Sequence, residues 1–206
     1  MIRNKNNKEW IYDFDPSIWN EIESIKNIHY LSKEKKYTDD YIYISGIDLP
    51  FEYYEGIPKK EDFELLKRTL KDNQEFLKDL PNDKLKIFMC HAPRFLTEIS
   101  SLEYLKEFNL VLSGHEHNGM VPRILEHRFV GTKGIINTSK ELFPENVKGI
   151  KKIRYSDNLI TFIINGGIIK IPLESKFGMF KFLYPMEFTN INYDTDTKKI
   201  IIKKIY

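Results

Sequence analysis

The ten residues Leu110 to Gly119, LVLSGHEHNG, constrain this chain more than any other stretch. A short apolar run of Leu110, Val111 and Leu112 stops at Ser113 and Gly114, and two histidines separated by one residue follow at once. Apolar runs of that length, bounded by a turn signal, read as buried strands, and the glycine lets backbone approach a ligand closely. His115 and His117, at i and i+2 on a turn, reach different sides of one small volume, which suits two neighbouring metal ions better than one closed tetrahedral site. A second copy of the arrangement lies upstream in LKIFMCHAPR, where the run Leu85 to Cys90 ends at His91. Ligands of open α/β sheets bind beyond the carboxyl ends of the strands, so histidines after two such strands converge on one crevice. A lone histidine there is more often a hydrogen-bonded structural residue; the pairing of His91 with the GHEH loop is what points to a site.

The rest of the chain supplies the elements such a crevice needs. Asp15, Pro16 and Ser17 mark a helix start, with either Ile18, Ile22 and Ile25 or Trp19 and Ile22 as inner face to about Lys26. Ile28 to Leu31 reads as a short strand, SKEKKYTDD as a charged turn, and Tyr41 to Gly46 as an alternating strand. Pro58 introduces the clearest helix, with Phe63, Leu66, Leu70, Leu77 and Leu80 at helical spacing, Glu61 and Asp62 in its first turn, and Pro81 closing it. A short helix around Leu102 to Phe108 joins the two histidine-bearing strands into a β-α-β unit. Beyond Gly131, the β-rich runs Lys151 to Tyr155, Leu159 to Ile164, Phe188 to Tyr193 and Lys199 to Ile205 predict a second sheet packed on the first. The basic tail reads as an edge strand rather than a membrane contact.

Quoted together, MCHAP at Met89 to Pro93 and LVLSGHEHNG resemble the last two metal-binding motifs of the calcineurin-like metallophosphoesterases, in which a strand-ending His is followed by Gly-His-x-His. The strand at Ile42 to Asp48 is similar to the Ile-x-Gly-Ile/Val-Asp strand of the same family. The resemblance implies a dinuclear site of divalent ions (manganese, iron, zinc or similar) that hydrolyses phosphomonoesters or phosphodiesters. Within it His91 and His115 would hold one ion and His117 its neighbour. It also implies an α/β, layered α+β fold, with a two-sheet β-sandwich core flanked by helices. Arg94, directly after the His91 turn, is a candidate contact for a substrate phosphate.

The first three motifs of that family, Asp-x-His, Gly-Asp-x-x-Asp and Gly-Asn-His-Asp/Glu, do not occur in the sequence. Residues 1–206 therefore read as a single phosphoesterase-like domain lacking its first strands. Residues 1–130 form an α/β half carrying the metal histidines, and 131–206 a β-rich half. Such a chain is expected to be inactive alone and to depend on a separate N-terminal segment or a second copy. The sheet edge left open by the missing strands would favour partner binding or aggregation. Two alternatives stand beside this reading: a non-catalytic, degenerate family member acting as a binding or interaction module, and a lone histidine cluster on an unrelated fold.

Composition narrows the classes. With 41% hydrophobic and 14% aromatic content over 206 residues, the chain can bury a core as one domain. Lys and Arg at 32 against Asp and Glu at 30 leave +2, no electrostatic footprint for nucleic acid. The single cysteine, Cys90, sits in a predicted strand and fits a reducing compartment, so the expected location is cytoplasmic. No transmembrane run or signal segment is expected. Asp13 and Asp15 read as loop or cap residues, Glu116 as facing solvent or a supporting partner, and His29 and His127 as ordinary surface residues.

Overall fold

The structure is a computed structural model that describes residues 2–3, 10–11, 16–29, 31, 36–47, 49, 60–72, 74–77, 80–93, 99–166 and 188–205. Strands β1 (Ile2–Arg3) and β2 (Trp10–Ile11) pair with each other, and helix α1 spans Pro16–Ser24. The main sheet contains β3 (Lys36–Thr38), β4 (Ile42–Gly46), β5 (Leu85–Met89), β6 (Leu110–Ser113), β7 (Gly149–Tyr155) and β8 (Asn158–Ile164). Their spatial order is β3-β4-β5-β6-β8-β7. The four inner strands run parallel, and β3 and β7 close the two edges in antiparallel pairing. Helix α2 (Lys60–Asp72) continues into a 3-10 turn at Gln74–Leu77, and helix α3 (Ile99–Leu105) links β5 to β6. The last strands, β9 (Phe188–Asp194) and β10 (Lys199–Ile205), form an antiparallel hairpin.

Alternation along the inner strands decides what covers each face. Tyr43, Phe88, Val111, Ile160 and Phe162 face Leu66 and Leu70 of α2 and Leu102 and Leu105 of α3 in one buried cluster. Leu85, Ile87, Leu110 and Ile163 point the other way, where Ile191, Tyr193, Ile200 and Ile202 of the hairpin pack on them. The result is three layers: helices, a six-stranded mixed sheet and a two-stranded sheet. This is mixed α/β, as expected, with two sheets face to face.

One expectation about the layers is corrected. The runs after Gly131 do not all belong to a second sheet: β8 inserts beside β6, in register from Leu110↔Thr161 to Ser113↔Ile164, and β7 follows it as the edge. The reason is visible in β8, whose residues Ile160 to Ile164 are all buried, the mark of a central strand covered on both faces. Only β9 and β10, which alternate exposed and half-buried, form the second sheet.

The edges differ from expectation for a related reason. The stretch read as a charged turn holds β3, too polar to signal a strand because it lies at an edge, and Asp39 shapes the turn to β4 by accepting the Tyr41 and Ile42 N–H groups, both at 2.8 Å. Among the described residues β3 and β7 cover the outer parallel strands, and Lys152 and Arg154 stand exposed on edge β7, which discourages further pairing. The strand expected at Ile28 to Leu31 does not form at Ile28 and His29, and Ile18, Ile25 and Ile28 are exposed. Among the described residues no helix is long and apolar enough to cross a membrane.

Candidate functional site

Strands β5, β6 and β8 end together, and backbone bonds tie the loops beyond them. Cys90 N–H donates to Leu112 O at 3.1 Å, Gly114 N–H to His91 O at 2.9 Å and Asn165 N–H to Ser113 O at 2.9 Å. Those bonds carry the two histidine loops side by side beyond the carboxyl ends of the strands. The rings of His91 and His115 stand edge to face, with centroids 5.1 Å apart and planes at 73°. Gly114 lies beside the His91 ring: a Cβ there would stand 3.6 Å from Nδ1, an ordinary contact. Cys90 is buried behind the loop at 3% exposure, as its strand position predicted.

The GHEHNG loop is folded against ordinary backbone preference. His115, His117, Asn118 and Met120 all have positive φ, at 66°, 46°, 58° and 47°, and Gly119 has 59°. Each non-glycine residue in that region costs about 1–2 kcal/mol, and such strain gathers at functional loops. The loop is held by Gly119 N–H donating to Glu116 O at 2.8 Å, and by Gly119 O accepting from Ile135 at 2.8 Å and Ile136 at 3.1 Å. Close packing adds to this: Gly119 and Gly134 approach so nearly that a Cβ on Gly119 would lie 2.6 Å from Gly134 Cα.

Glu116, expected to face solvent or a supporting partner, is buried at 4% exposure and takes the second role. The Thr138 hydroxyl donates to Glu116 Oε2 at 3.2 Å and also contacts His115 Nε2 at 3.1 Å. A hydroxyl has one proton to give, and the carboxylate can only accept. With Glu116 ionised, the chain runs from His115 Nε2–H to Thr138 Oγ1–H to Glu116, the tautomer that leaves the His115 lone pair on Nδ1. Thr138 is itself set by a tight turn in which Asn137 Oδ1 accepts Glu141 N–H at 3.0 Å and Asn137 O accepts Lys140 N–H at 3.0 Å. Nothing in the sequence pointed to Thr138, which lies 23 residues beyond His115 with no motif around it.

Partial desolvation lowers the pKa of the His91 imidazole, with repulsion from His117 in its protonated form adding to it, and desolvation alone lowers that of His117. Both are thus kept neutral, the form that binds metals. Among the described residues, however, no group of three or more His, Cys, Asp or Glu side chains is gathered closely enough to hold a metal ion. His91 and His115 form a pair, and His117 does not complete a three-ligand set with them. Arg94, Asp13, Asp15 and Asp48 lie outside the described residues. His127 is exposed in a 3-10 turn, and His29 is exposed and stacks on Tyr37 at 4.2 Å, so neither joins the site.

The pair can be tested against metal geometry. A metal–imidazole bond of about 2.0–2.1 Å, with the ring centre roughly 1.1 Å behind the nitrogen and a tetrahedral angle, puts two ring centres about 5.2 Å apart. The observed 5.1 Å is compatible with that spacing and equally with ordinary edge-to-face packing of two rings. A two-ion centre does not fit the described residues, because no carboxylate converges on the pair.

Compared with known proteins, the chain matches no family model, no curated protein and no solved structure.

Proposed function

We propose that the loops after β5 and β6 form the histidine half of a phosphoester-hydrolysing metal site. The observation that carries this reading is the 5.1 Å pairing of His91 and His115 beyond the ends of adjacent parallel strands. A divalent ion bound there would supply Lewis acidity toward a phosphoryl oxygen. The chain's own residues do the positioning. His91 and His115 would supply one ring nitrogen each, and Glu116, reached through the Thr138 hydroxyl, would favour the His115 tautomer that leaves the lone pair on Nδ1. His117, two residues further along the loop, is the candidate for a second ion, and Arg94 is the candidate for meeting the phosphate. The carboxylates needed to bridge two ions have no candidate among the described residues, so the reading requires them from another segment or a second copy, and the chain alone is predicted to bind metal without turnover.

A second reading stands beside it, a degenerate relative of the phosphoesterases that acts as a binding module without chemistry; no third His, Cys, Asp or Glu ligand joins the pair among the described residues. Metal content and hydrolysis of bis-p-nitrophenyl phosphate with added manganese, compared between the chain and its His115→Ala variant, separate the two. Metal that is bound by the chain and lost in the variant, without hydrolysis, supports the first reading. No metal in either protein supports the second. Hydrolysis that disappears in the variant would contradict the predicted inactivity and show that the ligand set is completed elsewhere.

A further inference from the structure

A glycine in an ordered part of a chain usually answers a demand of the chain itself, either a left-handed backbone or a neighbour that leaves no room for a Cβ. Among the described residues every glycine but one meets such a demand. Gly119, Gly131 and Gly149 have positive φ, and a Cβ on Gly46, Gly134 or Gly166 would collide with Met89 O, Gly119 Cα or Asn118 Cβ in turn. Gly114, which stands directly before His115, is the exception. Its φ is outside the left-handed region, and a Cβ on it would make only ordinary contacts, 3.6 Å from His91 Nδ1, 3.7 Å from His91 Cε1 and 3.8 Å from Asn165 O. Alanine would fit there and would leave the unfolded chain less entropy to lose, so glycine costs stability at this position. The methyl-sized space that it leaves lies between the His91 ring and the Asn165 carbonyl, and Gly114 is only half-buried.

The far wall of that space is held firmly. Asn165 follows β8 directly, and its N–H donates to Ser113 O at 2.9 Å while its Nδ2 donates to Thr189 Oγ1, on β9, at 2.9 Å. Gly166, the other half of the same peptide, lies so close to the histidine loop that a Cβ on it would stand 2.8 Å from Asn118 Cβ. The Asn165 carbonyl is thus set in place by β6, by β9 and by the histidine loop together. The ends of three adjacent parallel strands therefore contribute an imidazole after β5, an empty position after β6 and a carbonyl after β8. A backbone carbonyl has two lone pairs, and carbonyl oxygen and imidazole nitrogen are both donors to divalent ions.

We propose that the space over Gly114 is the seat of a divalent ion, and that the Asn165 carbonyl serves it as an oxygen donor beside the imidazoles. This rests on the reading of the histidine loops as a metal site and adds to it a main-chain donor, which lies outside any count of His, Cys, Asp and Glu side chains. Room over Gly114 carries the proposal, not a group left without a partner. Glycine is kept there because a methyl group would narrow the seat.

The test is a calorimetric titration of the full chain with zinc, run on the native protein, Gly114→Ala and His115→Ala, with melting curves of each and the Asn165 carbonyl carbon followed by NMR during the native titration. Gly114→Ala is expected to melt at or above the native temperature and yet to bind zinc weaker by about tenfold or more. The Asn165 carbonyl signal is expected to shift saturably, in step with the ring nitrogens of His91 and His115. Zinc binding that is lost in His115→Ala but unchanged in Gly114→Ala would overturn the seat and leave the histidine reading in place. So would an Asn165 carbonyl that stays still while the two imidazoles respond. A Gly114→Ala protein that fails to fold, or melts far below the native one, would show that the glycine serves packing and would overturn the seat as well. No zinc bound by the native chain would overturn both the seat and the reading beneath it.

Discussion

Thr138→Val removes one hydroxyl while keeping the shape of the side chain, and it tests the relay behind His115 directly. In the native chain that hydroxyl answers both a buried carboxylate at 3.2 Å and an imidazole N–H at 3.1 Å. A hydrogen bond to a charged group contributes about 1.5–3 kcal/mol and one between neutral groups about 0.5–1.5 kcal/mol. Both distances are at the long end of the range, and Glu116 and His115 have further interactions, so the lower end applies, about 2 kcal/mol in all. For a chain of this size that corresponds to a fall in Tm of about 4–8 °C. Thr138→Ser, which keeps the hydroxyl, is expected to recover most of it. Two-bond ¹H–¹⁵N spectra of the imidazoles give the independent readout: His115 is expected to carry its proton on Nε2 in the native protein and to become a mixture of tautomers in Thr138→Val. A Thr138→Val protein of native stability, with the His115 tautomer unchanged, would refute the relay.

Other substitutions test the frame that holds the site. Gly119→Ala places a Cβ against the Val147 side chain and 2.6 Å from Gly134 Cα at a φ of +59°, whereas Gly131→Ala, at φ +75°, meets nothing within 4 Å. The first is expected to lower stability by more than about 3 kcal/mol and the second by about 1 kcal/mol, so equal urea midpoints would show that the packing around Gly119 is misjudged. Phe88→Ala empties a position that is 1% exposed and packs edge to face on Phe108 at 5.2 Å. A loss of about 3–5 kcal/mol in chemical denaturation is expected, and a loss under about 1 kcal/mol would place Phe88 outside the core. His91 and His117 are depressed below their ordinary pKa near 6.5, so the unfolded chain binds more protons than the folded one just below that value. Stability from these two groups is therefore complete above about pH 6.5 and falls as pH drops through the unfolded value. Melting curves from pH 7.5 to 5.5 should show that decline and a shallower one in His117→Gln; identical slopes would remove His117 from the account.

Much of the frame was legible because burial writes itself into short patterns. The runs ending at Cys90 and Ser113, the helical spacing of Leu66 and Leu70, and the turn at Gly114 report one buried face each, and the structure contains those elements close to where the sequence puts them. The place of β8 was not legible: an apolar run such as ITFII reads the same in a second sheet as in the centre of the first, and only pairing with β6 distinguishes them. β3 was invisible because an edge strand buries little and needs no apolar signature. At the site, local sequence supplied His91 and His115 because both follow strands directly. It could not supply Thr138 or the burial of Glu116, since both depend on a loop that returns through space rather than along the chain.

The central claim is that His91 and His115 converge on one point and can hold one divalent ion between them. Equilibrium dialysis of the chain against zinc, with His91→Ala, His115→Ala and the exposed His127→Ala in parallel, measures that most directly. Weak binding of at most one ion per chain is expected, lost in both variants of the pair and kept in His127→Ala. Zinc retained at full stoichiometry in His91→Ala or His115→Ala, or no zinc bound by the native chain, would contradict it.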